Sequence, residues 1–158
     1  MSDGLLSRPL VPVANEADAV ETGRAAFPRI AAVGGRPRLV HVIEKAGGAP
    51  DKASVEQREA AAEEAFAAAR ECAADFDLEI ETEIRYGTDV AAAIIEAAEE
   101  ADASAIVFHP RGGPWWLDLL TGDVRDRLVT ASDRPVVALP AAGDGTESEP
   151  GTDGEVDG

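Results

Sequence analysis

Five short apolar runs, each parted from the next by a stretch of helical composition, constrain this chain more than any other feature. Residues 9–13 (PLVPV), 38–44 (RLVHVIE), 78–85 (LEIETEIR), 104–108 and 134–139 have the apolar, β-branched character of strands. Residues 17–33, 51–75, 88–101 and 122–131 lie between them and read as helices. The second carries apolar residues at Val55, Ala62, Phe66, Ala69 and Ala73, the third at Val90, Ile94, Ile95 and Ala98. Such alternation forces a parallel sheet, because each crossover helix must pack back on the sheet with one hand. The expected fold is α/β: a single doubly wound, five-stranded parallel sheet with helices on both faces. Pro12 cannot donate to a ladder and should lie near the carboxyl end of the first strand. Pro28 should kink or split the first helix. Residues 78–85 alternate strictly, which suits an edge strand with one wet face.

The 158 residues suffice for one domain with a real core, over residues 1–140. Residues 141–158 hold six acids (Asp144, Glu147, Glu149, Asp153, Glu155, Asp157), no base and no large apolar side chain but Val156. That segment is expected to be a disordered acidic tail. Without its six acids the chain still has 25 acids against 14 bases, a net charge of −11, so the folded body is acidic too. This excludes nucleic acid, which needs a basic face, and an anionic membrane surface. Only Lys45 and Lys52 are lysines, and such a lysine-poor, acid-rich chain fits a salt-rich cytoplasm that screens its self-repulsion. The lone Cys72 permits no disulfide framework or thiolate metal site within one chain. No apolar signal core or membrane-length run is present, so the expected location is cytoplasmic.

A doubly wound sheet takes ligands beyond the carboxyl ends of its strands, where strand order reverses. The loops after the first and fourth strands, at Ala14 and at residues 109–121, should flank that crevice. The second of them begins His109-Pro110-Arg111-Gly112 and leads to Gly122-Asp123-Val124. A strand, a glycine-bearing loop and a helix start form a cradle for anions, because backbone N–H groups point into it.

Over about Arg8 to Pro140 the pattern resembles the universal stress protein family. The resemblance rests on the opening LVPV strand, the LVHVIE strand, Gly87, the Ala-Asp-Ala-Ser-Ala-Ile-Val-Phe approach to the loop, the Gly122-Asp123-Val124 helix start and the closing Arg-Pro-Val-Val-Ala-Leu strand. Nucleotide-binding members carry Gly-x2-Gly-x9-Gly-(Ser/Thr) in the loop and an Asp after the first strand. Gly112 and Gly122 match with the nine-residue gap intact. The resemblance implies a nucleotide crevice at Pro12, Val13, Val42, Arg111, Gly112, Gly122 and Val124. It is degenerate at Ala14, where the Asp would stand, at His109, the first glycine, and at Asp123, the Ser/Thr. It also implies a homodimer through the last strand, Arg134 to Leu139.

At the first glycine an imidazole would stand where the nucleotide should lie, and Asp123 would oppose phosphate at the helix end. Asp123 also has a plain structural reading as a helix cap. Arg111 and Arg125 would soften the repulsion. His41 reads as a satisfied imidazole in or at the end of its strand, and two histidines without acids at ligand spacing make a poor metal site. Ser104 precedes a strand and Cys72 lies on a helix, so no nucleophile–base pair is visible. Neither a Walker-type loop nor a GxGxxG turn is present. Trp115 and Trp116, with Leu117, Leu119 and Leu120, either fold over the sheet end or form a contact surface for a protein partner.

The expected function is that of a non-enzymatic binding or interaction protein with a degenerate ATP site and no resident cofactor, in stress response by resemblance. The alternative is an ATP- or AMP-binding regulatory sensor with an intact though atypical pocket. An enzyme acting on a small anion through Arg111 and His109 ranks below both, lacking an activated nucleophile or metal.

Overall fold

The computed structural model describes residues 4–44, 52–109, 127, 128, 130 and 132–139. The elements are β1 (Pro9–Pro12), α1 (Glu16–Ala32), β2 (Arg38–Glu44), α2 (Lys52–Ala74), β3 (Glu81–Gly87), α3 (Val90–Glu100), β4 (Ala105–Phe108) and β5 (Val136–Ala138). Arg127, Leu128 and Thr130 are also helical; the rest of the helix expected over residues 122–131 lies outside the described residues. All strand pairs are parallel, in the order β3-β2-β1-β4-β5, with Pro12 opposite Val40, Leu10 opposite Ile106 and Ile106 opposite Val136.

Alternate residues of the central strands serve two cores, as the two-residue period of a strand requires. Val11, Val13, Leu39, Ala105 and Val107 pack with Phe27 and Ile30 of α1 and with Phe66 and Ala69 of α2. Leu10, Val40, Val42, Ile106 and Phe108 pack on the other face with Ile94, Ala97 and Ala98 of α3 and with Leu128. Every residue of β1 and β4 is buried, whereas no residue of β3 is. The expected edge strand is therefore at the edge, and the doubly wound sheet is as expected.

Two local expectations need correction. β3 starts at Glu81, because the chain leaving α2 turns under the helix first: Leu78 N–H donates to Ala73 O at 3.0 Å, and Phe76, Leu78 and Ile80 rest on the first core. The alternation over residues 78–80 thus reflects packing of a connection and not sheet pairing. Pro28 does not split α1, which is continuous from Glu16 to Ala32. Its neighbours Phe27 and Ile30 are fully buried, and that burial outweighs the one backbone bond the ring removes. Pro12 ends β1 as expected.

Glycine permits one close approach that positions the amino-terminal segment. A Cβ on Gly35 would sit 1.9 Å from the Leu6 carbonyl oxygen. Arg36 N–H donates to Ser7 O at 2.9 Å. Ser104 then ties the same segment to the start of β4, donating to Leu5 O at 2.6 Å and accepting from Arg8 N–H at 2.9 Å.

Candidate functional site

The chain builds β1, β2 and β3 outward to one side, then crosses back to place β4 and β5 on the other side of β1. Strand order therefore reverses between β1 and β4, the place where a sheet of this kind takes ligands.

On the β1 side, Ala14 and Asn15 lead into α1. Asn15 is the N-cap, in extended backbone, and its Oδ1 accepts from Asp18 N–H at 2.8 Å. The Asp18 carboxylate reaches back and accepts from Ala14 N–H at 2.7 Å, while its other oxygen accepts from the Thr22 hydroxyl at 3.3 Å. This is a capping box displaced by one residue, with the returning side chain bonding the residue before the cap. Asp18 is only 9% exposed, so a carboxylate is held close to the positive end of α1.

Two histidines flank the strand reversal in matching ways. His41, on β2, lies 2.9 Å through Nδ1 from the carbonyl of Val13. His109, just past β4, lies 3.0 Å through Nδ1 from the carbonyl of Leu139, just past β5. A carbonyl only accepts, so Nδ1 of each ring carries the hydrogen. Burial pushes the His41 pKa below its ordinary value, against an opposing pull from the Val13 carbonyl, so the neutral ring is favoured. His109 is 2% exposed, and its Nε2 is buried with no hydrogen-bond partner. The imidazole expected in the crevice opening is thus a buried ring bridging β4 to the chain leaving β5.

The expected site residues divide three ways. Pro12, Val13 and Val42 do lie at the carboxyl ends of β1 and β2, but Val13 packs in the α1/α2 core and Val42 in the α3 core. Ala14, half-buried, and His109 lie just past β1 and β4, on either side of the strand reversal. Arg111, Gly112, Gly122, Asp123, Val124 and Arg125 lie outside the described residues, as do Trp115 and Trp116. Asp18 was not legible as a site residue, although Asn15-x-x-Asp18 has the spacing of a cap and its returning acid.

Asp89 and Arg127 were missed as well. Asp89 caps α3, accepting from Ala92 N–H at 3.1 Å, and forms an ion pair with Arg127. This pair ties the last helical residues to the connection leaving β3. The Ala92 amide first, and Arg127 with it, hold the Asp89 carboxyl below its usual range.

Ser104 is a structural latch, bonded to the Leu5 carbonyl, and the Cys72 thiol is pushed up by burial, so neither is an activated nucleophile. Among the described residues no three His, Cys, Asp or Glu side chains cluster as metal ligands. No helix of the described residues is long and apolar enough to cross a membrane.

A parallel sheet in this order, reversing between β1 and β4, defines a Rossmann-like doubly wound domain. The profile of the universal stress protein family matches residues 7–140, and the chain belongs to that family. A universal stress family protein from Burkholderia pseudomallei is 23% identical with a TM-score of 0.68, over 87% of this chain and 98% of that one. The universal stress protein from Archaeoglobus fulgidus in complex with dAMP is 21% identical with a TM-score of 0.59, over 86% and 99%. A family member from Arabidopsis thaliana with AMP bound is 17% identical with a TM-score of 0.54, over 89% and 97%. At these identities the likeness is one of fold. No curated protein matches the sequence.

Proposed function

We propose that this chain is a non-enzymatic binding and interaction protein of the cytoplasmic stress response, whose nucleotide crevice has lost most of its affinity for ATP. The observation that carries this reading is the His109 ring. By the resemblance it stands in place of the family's first loop glycine, and it is buried and tied through Nδ1 to Leu139 O. A side chain in place of that glycine removes the close backbone approach that a triphosphate needs. Asp18 adds negative charge at the start of α1, and Asp123 stands in the sequence where the resemblance implies a Ser or Thr. No ATP is expected to be resident.

The test is to denature freshly purified protein, analyse the released small molecules by mass spectrometry, and titrate stripped protein with ATP by calorimetry. An empty crevice and no heat support the proposal; stoichiometric ATP or micromolar rebinding sinks it. The second reading, a nucleotide sensor, draws support from the structural neighbours bound to dAMP and AMP. It predicts that AMP binds and shifts the oligomeric state. We also propose a homodimer through Arg134 to Leu139, supported by the position of β5 at a sheet edge. Light scattering after gel filtration would give the mass, and a monomer at all concentrations would exclude the dimer.

A further inference from the structure

Three arginines meet at the amino-terminal end of the sheet, the end away from the ligand-taking carboxyl ends of the strands. Arg8 precedes β1, Arg36 and Arg38 lead into and open β2, and Glu81 opens β3. These four line a cavity of about 280 Å³, with Pro9 and Ala103 among its apolar walls. Guanidinium groups repel one another, and a chain with only 14 bases and a formal charge of −17 could keep them apart. Backbone ties set their places instead. Arg36 N–H donates to Ser7 O at 2.9 Å, and Arg8 N–H donates to Ser104 Oγ at 2.9 Å. Arg38 stands in register between Leu10 and Glu81. The sheet imposes the grouping, so the charges are in position before any ligand arrives.

The counter-charges nearby are shared. Arg8 donates through Nε and Nη2 to Asp102, but Asp102 also pairs with Arg134. Arg38 pairs with Glu81 at 3.0 Å and with Glu83 at 3.6 Å, and Glu83 also serves Arg85. The Arg36 side chain is exposed and has no hydrogen bond or ion pair with any described residue. The described lining thus sets three positive charges against the one carboxylate of Glu81. A surplus of two positive charges suits a dianion. A guanidinium fork offers parallel N–H donors to two oxygens of a phosphate, and a tetrahedral phosphate has oxygens for forks from several directions. We propose that this cavity binds a phosphate dianion, as the free ion or as the head of a small monoester, with Arg36 as its principal ligand. Its volume lies just below the range of roughly 300–1,000 Å³ typical of larger ligands, which suits a phosphate with a short body. Glu81 opposes the anion and keeps the affinity modest. The proposal does not depend on the reading of the nucleotide crevice.

The test follows the backbone amide resonances of the full nitrogen-15-labelled chain at fixed KCl and a pH of about 7.5, where phosphates are mainly dianions. The probes are inorganic phosphate and, separately, glycerol phosphate. The amides of Arg8, Arg36 and Arg38 should shift along a saturating curve, while those of Ala14 and His109 stay in place. Tighter binding of glycerol phosphate identifies a monoester as the source, and equal or tighter binding of inorganic phosphate identifies the free ion. Arg36→Gln keeps the backbone tie to Ser7 and removes the charge, and should weaken binding about tenfold or more. Glu81→Gln removes the opposing carboxylate and should strengthen it about threefold. Should Arg36→Gln fail to fold, the wild-type shift pattern and Glu81→Gln decide. A chain with no saturable shift overturns the proposal. So does a shift spread evenly over other exposed arginines such as Arg24, or a response unchanged in folded Arg36→Gln.

Discussion

Asp18 ties the start of α1 to the chain that leaves β1. Its carboxylate holds Ala14 N–H and sits in the first turn of α1, so removing it loses a cap and a favourable dipole contact together. Asp18→Ala should destabilise the fold by about 1–2 kcal/mol in urea unfolding, and Asp18→Asn by less. His41 makes a separate prediction in pH. Its folded pKa is lowered, chiefly by burial, so the ring's contribution is complete above the unfolded value near 6.5. It is lost as pH falls through the lower folded value, where the ring must charge in place. Unfolding free energy measured from neutral pH downward should therefore decline through that window, and less so in His41→Gln. A wild type and variant with parallel profiles would show that His41 does not titrate with folding.

At the scale of elements, the turn between α1 and β2 and the amino-terminal segment are built as one unit. Gly35→Ala would drive a Cβ into the Leu6 carbonyl, a backbone atom that cannot rotate away. The expected cost is roughly 3 kcal/mol in urea unfolding. Gly87→Ala, where the nearest atom is 3.7 Å away, should be tolerated. The elements themselves were largely legible, because buried strands such as Leu39–Val40 and Ile106–Val107 must be apolar on both faces. Their ends were less so. Leu78 and Ile80 alternate like strand residues while packing as a connection, and periodicity alone does not separate the two. Pro28 does not split α1, because local propensity says nothing of the core that Phe27 and Ile30 enter. The strand reversal could be placed from topology rules. The tie from His109 to Leu139 could not, since it joins side chain to backbone across 30 residues.

The whole molecule carries a formal charge of −17, and most of its described ion pairs have at least one exposed partner, as Arg8–Asp102 and Arg134–Asp102 do. Exposed pairs contribute little, so the self-repulsion of the body is relieved mainly by screening. Melting temperature should rise as KCl goes from dilute to molar, and a flat profile would count against a salt-dependent fold. The two sheet edges differ in how they are protected. β3 carries Arg38–Glu81 at its flank and Arg85 bonded to Glu83 and Glu100, whereas the described part of β5 is the three apolar residues Val136–Ala138. Only the second edge invites another strand. Because β5 runs parallel to its neighbours, Leu139 leaves the sheet at the same end as the crevice, with its carbonyl on His109. Residues 141–158 carry six of the chain's acids and no base, so deleting them lowers the formal charge from −17 to −11, with 25 acids left against 14 bases. A less negative chain repels a small anion less at long range, and salt screens the difference. Deleting residues 141–158 should accordingly strengthen any binding of AMP at low salt while leaving that of adenosine unchanged.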